Sequence, residues 1–144
     1  HSTGEILEGG PEHGVLREQK KLENLNASSG EPVIIGCHFP LPGEQLTRLS
    51  PLLVRYRIRS LGSSALMFAN VASGYLSGAI DYRVKVWDIA AASAICKGAG
   101  FEFHFINESP FPLKAFRPSA KCCPCYSGTQ KTRDEFEKLS SKTA

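Results

Sequence analysis

Apolar residues recur along this chain in two rhythms, alternation and helical spacing, and the switches between them predict its elements. Through polar residues 1–31, Gly4, Gly9-Gly10 and Gly14 punctuate the short apolar pairs Ile6-Leu7 and Val15-Leu16, which predicts short hairpin strands. Asn26 to Pro32 reads as a turn-rich connector, and Val33-Ile34-Ile35-Gly36-Cys37 is a β-branched run suited to a strand buried on both faces. A new unit is therefore expected to begin there, dividing the chain into residues 1–31 and 32–144. The prolines of the 38–43 segment predict a loop. Leu46, Leu49, Leu52-Leu53 and Tyr56 predict a helix over 44–57, which Pro51 is expected to break or restart. Arg57 to Leu61 reads as a short strand. Ala65, Phe68, Ala69 and Ala72 then form a stripe that predicts a helix over 64–73, closed by Gly74. Gly78 to Val84 alternates as a strand should, in a run ending at Val84-Lys85-Val86, and a second Ala-rich helix is expected from Asp88 to Gly98. Phe101, Phe103 and Phe105 alternate with Glu102 and His104, predicting a strand with His104 on its polar face. Residues 107–131 read as irregular. Thr132-Arg133-Asp134-Glu135 has the capping-box form, opening a terminal helix with Phe136 and Leu139 inward.

Composition narrows this picture. The chain has 144 residues, 42% of them apolar and 22% charged, enough for one core or a core with an appendage. Its net charge is +3 with basic residues scattered, so no nucleic-acid partner is expected. No apolar run reaches the roughly 18 residues of a membrane span, and the start lacks a secretion-signal layout, so a soluble cytoplasmic protein is expected. The five cysteines read as reduced thiols, with Cys37 and Cys96 as small core residues. Cys122-Cys123-Pro124-Cys125 is the only cluster, and His104 alone does not supply the second ligand pair of a zinc site, so free thiols in a mobile loop are expected. The opening His1-Ser2-Thr3-Gly4-Glu5 without Met suggests an excerpt of a longer polypeptide.

Candidate chemistry centres on Trp87-Asp88-Ile89-Ala90-Ala91. A carboxylate at the doorway of a helix can cap it by accepting backbone N–H groups at the positive end of the dipole, and its outer oxygen stays free for a cation. Together, Gly62-Ser63-Ser64-Ala65 through Val71-Ala72-Ser73-Gly74, Asp81, and Trp87-Asp88-Ile89-Ala90-Ala91 resemble the second half of the inositol monophosphatase-like family. The Thr3-Gly4-Glu5 opening and its glycine-rich hairpin look like the strands preceding that half. The resemblance covers most of the chain, with low identity outside residues 59–100. It implies an α/β fold: the C-terminal mixed-sheet α/β half of the sugar phosphatase fold, with a β-hairpin remnant of the preceding α+β half. It further implies a lithium-sensitive phosphomonoesterase dependent on magnesium (Mg2+), with Asp88 at a metal-ligand position. Asp81 falls where the family keeps an acidic residue for substrate hydroxyls, and Gly62, Ser63 and Ser64 would line the same pocket. The substrate class implied is a small phosphorylated polyol or sugar, and the resemblance allows a homodimer.

The family draws its other metal ligands from an upstream Glu and an Asp-Pro-Ile/Leu-Asp-Gly-Thr/Ser segment. This sequence has no Asp-Pro pair and only Asp81, Asp88 and Asp134 as aspartates, and Gly98-Ala99-Gly100-Phe101 stands where the family tends to show Glu-Ala-Gly-Gly. Two readings follow. The chain is the C-terminal portion of a magnesium-dependent phosphatase and negligibly active alone, or it is a noncatalytic sugar-phosphate-binding or regulatory module that kept the α/β half.

Overall fold

Leu7–Gly10 (β1), Gly14–Arg17 (β2) and Lys20–Lys21 (β3) form the expected hairpin strands, joined as an antiparallel sheet in the order β1-β2-β3. The computed structural model describes residues 4–22, 33–115 and 121–140, so Thr3 and the connector expected over 26–32 lie outside the described residues. The remaining elements are Ile34–Cys37 (β4), Gly43–Arg55 (α1), Arg57–Arg59 (β5), Ser64–Ala72 (α2), Gly78–Asp81 (β6), Val86–Gly98 (α3), Phe103–Phe105 (β7), Cys125–Gly128 (β8) and Gln130–Ser140 (α4).

A mixed sheet in the order β5-β4-β6-β8-β7 carries the fold. Strands β4, β5 and β6 run parallel, joined by helical crossovers, while β8 pairs antiparallel with both β6 and β7. Alternation along the strands sends side chains to two cores. On one face Ala79 and Cys125 pack with Met67, Phe68 and Val71 of α2 and Ile89, Ala92 and Cys96 of α3. On the other, Ile35, Ile80 and Tyr126 pack with Leu49 and Leu52 of α1 and Phe136 of α4. Each such fully buried large side chain contributes about 1.5–3 kcal/mol of transfer free energy. The hairpin sheet joins the first core through Val15, and its Gly10 lies against Gly98 at the end of α3. A Cβ on Gly98 would stand 2.6 Å from the Gly10 carbonyl oxygen.

Several sequence expectations need correction. Pro51 does not break α1, which runs unbroken from Gly43 to Arg55. A proline there leaves the Thr47 carbonyl without its helical donor, and the Ser50 hydroxyl donates to that carbonyl at 2.8 Å instead. The buried face of α2 is Met67, Phe68, Val71 and Ala72, with Ala65 exposed. Strand β6 stops at Asp81, and the Val84-Lys85-Val86 run is not strand: Val86 is already the first residue of α3. Helix α4 starts at Gln130, so Thr132 is not its cap. Thr132 lies fully buried inside the first turn, donating to the Ser77 carbonyl at 2.8 Å. Finally, Cys125 belongs to β8 rather than to a loop.

Candidate functional site

Because β4, β5 and β6 are parallel and each leads into a helix, their carboxyl ends and the N-termini of α1, α2 and α3 open on one edge of the sheet. Open α/β sheets bind ligands at that edge, where helix N-termini also present unpaired N–H groups. Asp81 is the last residue of β6 and is 1% exposed. The Ser64 hydroxyl donates to its Oδ2 at 2.5 Å, the Arg83 backbone N–H donates to its Oδ1 at 2.8 Å, and His38 Nδ1 faces Oδ2 at 3.3 Å. A buried carboxylate needs such donors to satisfy its oxygens away from water. Two cysteines sit close to this carboxylate. Burial, reinforced by Asp81, pushes the Cys37 thiol up to about 12, and the same causes raise the thiol of Cys125, which pairs with Asp81 across the strands.

The glycine-serine turn delivers α2 to this edge. Gly62 takes φ 70, a left-handed conformation that a glycine adopts without strain. Ser63 is the N-cap, its hydroxyl oxygen accepting the Leu66 N–H at 3.3 Å, while Ser64 opens the helix and turns inward to Asp81. Of these two serines, only Ser64 touches the buried carboxylate.

Asp88 stands at the third position of α3, exposed, and not at the N-cap as its sequence context suggested. Its Oδ2 accepts the backbone N–H of Lys85, the N-cap residue, at 3.2 Å, and its own N–H donates to the Lys85 carbonyl at 3.0 Å. The valines flanking Lys85 prolong the strand-like pattern past the true end of β6, so the helix begins two residues before the start that the pattern predicts. One carboxylate oxygen remains without a protein partner among the described residues. A hard divalent cation favours such oxygens, yet magnesium takes six of them in near-octahedral array. Among the described residues no three His, Cys, Asp or Glu side chains converge to hold a metal ion. Asp88 thus fits the role of one ligand and does not constitute a metal centre.

His38 is the member of the cluster that sequence patterning passed over. It fell in a proline-rich segment and read as loop, although the β-branched run before it marked it as the residue beyond a buried strand's carboxyl end.

Comparison with known proteins places these features. The profile of the inositol monophosphatase family matches residues 9–138. The inositol-1-monophosphatase of Bacillus subtilis (strain 168) is 41% identical over 103 residues, covering 68% of this chain and 39% of that protein. The fructose-1,6-bisphosphatase/inositol-1-monophosphatase of Thermotoga maritima is 36% identical over 85 residues, 59% of this chain and 30% of that protein. Among solved structures, the extragenic suppressor protein suhB from Bartonella henselae superposes with a TM-score of 0.77 at 22% identity, over 99% of this chain and 54% of that one. The chain thus spans well under half the length of these two sequence relatives and about half of the solved structure. With a family match running from the hairpin to the last helix, this chain belongs to the inositol monophosphatase family.

Proposed function

We propose that this chain supplies the α/β half of a magnesium-dependent phosphomonoesterase site acting on an inositol phosphate or a related sugar phosphate. The observation that carries this reading is the shared edge: Asp81, Ser64, the Gly62-Ser63 turn and the start of the Asp88 helix all lie at the carboxyl ends of the parallel strands. Family membership supports it, since that family is generally metal-dependent and its relatives include an inositol-1-monophosphatase and a fructose-1,6-bisphosphatase. In this reading Asp88 is one carboxylate ligand, and a magnesium ion held there would polarise phosphate oxygens and activate water. Gly62, Ser63 and Ser64 stand at the polyol side of the pocket, with the buried carboxylate of Asp81 held behind Ser64. The three-stranded hairpin sheet of Leu7 to Lys21 is then the remnant of a preceding α+β domain, assigned to residues 1–31, with residues 32–144 assigned to the α/β domain. In this reading the protein works in the cytoplasm, without nucleic acid or membrane. Among the described residues no helix is long and apolar enough to cross a membrane.

The single carboxylate on α3 also favours a second reading, in which the chain binds a sugar phosphate without hydrolysing it. Phosphate release from inositol 1-phosphate in millimolar magnesium separates the two. The 144-residue chain alone is expected to turn over negligibly. A polypeptide extended upstream to include an Asp-Pro-x-Asp-Gly-Thr/Ser segment is expected to hydrolyse at rates typical of enzymes, about 1 per second or faster. Asp88→Asn in that polypeptide is expected to abolish nearly all turnover. Turnover by the chain alone overturns the division of ligands. An encoding gene with a start codon close to His1 and no such segment in frame supports the noncatalytic module.

A further inference from the structure

The buried carboxylate of Asp81 is poorly placed to meet a substrate directly. It is 1% exposed, its Oδ1 is taken by the Arg83 N–H, and its Oδ2 is shared by the Ser64 hydroxyl and the His38 ring. Of the two side chains that touch its carboxylate, Ser64 is buried and His38 reaches solvent, 36% exposed. Oδ2 accepts from the Ser64 hydroxyl, and the same acceptor role toward His38 puts the proton of the 3.3 Å contact on Nδ1. In the neutral ring Nε2 is then a lone-pair acceptor on the opposite edge of the imidazole, and among the described residues it has no hydrogen-bond partner. The loop bearing His38 is held to the end of β6 a second time, by the Arg83 guanidinium reaching the Pro40 carbonyl at 3.5 Å.

We infer that His38 is the group that accepts a hydrogen bond from a hydroxyl of a phosphorylated polyol, and that Asp81 acts through it as a positioning residue that fixes the ring's tautomer. This rests on the reading of the sheet's carboxyl edge as a polyol-phosphate pocket. Ser64 belongs to the same arrangement: its hydroxyl holds Oδ2 from below, leaving His38 as the exposed end of a Ser64–Asp81–His38 chain. A carboxylate that orients a histidine through Nδ1 is a general device for aiming Nε2 at a ligand.

The test is nitrogen NMR of the imidazole rings in the full 144-residue chain, titrated with myo-inositol 1-phosphate and magnesium. The expected result is a His38 ring protonated at Nδ1 and bare at Nε2, with the Nε2 resonance moving on titration while the rings of His13 and His104 stay fixed. His38→Ala is expected to weaken binding about tenfold, the equivalent of roughly 1.4 kcal/mol, without a comparable loss from His38→Gln, whose amide oxygen reaches the Nε2 position. A ring protonated at Nε2, or His38→Ala binding like wild type, overturns the role of His38. If the amides of Gly62 and Ser63 shift while the His38 Nε2 does not, the pocket stands and only the histidine's part in it falls. If no residue of this edge responds to the ester, the pocket reading falls and the role of His38 with it. The ring measurements are made on the wild-type chain, so a variant that fails to fold leaves the decision intact.

Discussion

Asp88 shows how one side chain serves two purposes that a single substitution separates. At the third position of α3 it accepts the Lys85 N–H and places negative charge at the positive end of the dipole. Asp88→Asn keeps an acceptor oxygen and loses the charge, so the melting temperature should fall only by the equivalent of about 0.3–1 kcal/mol. Thermal melts of the chain alone check this, and a much larger loss would make the residue chiefly structural. Two buried cysteines give a pH signature. Cys37 and Cys96 are both pushed by burial from 9.0 to about 12. A thiol raised in the fold keeps its proton there while the unfolded chain releases it from 9.0 upward. The stability it contributes is therefore complete below 9.0 and drains away as the pH climbs toward 12. Cys37→Ala should flatten the decline of melting temperature with pH over that window; an unchanged slope would show that the thiol ionises alike in the folded and unfolded states.

Elements with strong local punctuation were legible in the sequence. Helix α2 lies where its stripe placed it, because the Ser63 cap and Gly74, at φ 75, are local devices that act whatever surrounds them. Strand β8 was not legible: Cys-Tyr-Ser-Gly is buried at all four positions, and its burial comes from neighbours on both faces rather than from any alternation of its own. Its antiparallel direction beside parallel β6 is likewise a tertiary fact. Of the candidate site, the Gly-Ser turn and both aspartates could be named from the family resemblance, whereas His38 joins them only through a contact spanning 43 residues. Helix α1 shows tertiary packing overriding propensity. Leu49 and Leu52 bury on either side of Pro51 and hold the turn together while Ser50 serves the orphaned Thr47 carbonyl. Pro51→Ala should restore the helical hydrogen bond and stabilise the chain by about 2 kcal/mol, the interior penalty of about 3 less up to about 1 for a freer unfolded state. Urea unfolding measures the change, and a loss of stability would show that the local geometry set by Pro51 is itself needed for packing.

At the scale of the whole molecule, two cores share one sheet, and the hairpin sheet is fastened to the far end of the helix that begins beside Asp88. Gly98 admits no side chain against the Gly10 backbone, so the hairpin and α3 meet closely there. Strand order has a consequence of a different kind. Strand β6 is central, paired on both sides, and Ala79 and Ile80 are fully buried, whereas β5 is an edge strand with exposed arginines at both ends. Amide hydrogens of Ala79 and Ile80 should therefore exchange with solvent deuterium only through global unfolding, while those of β5 and of the hairpin sheet exchange earlier through local opening. Native-state exchange followed by NMR tests the ranking, and comparable rates in β5 and β6 would contradict it. A carboxylate at the tip of the slowest-exchanging strand keeps its position through every partial opening of the fold, so Asp81 is the fixed point about which more mobile parts of a binding site can come and go.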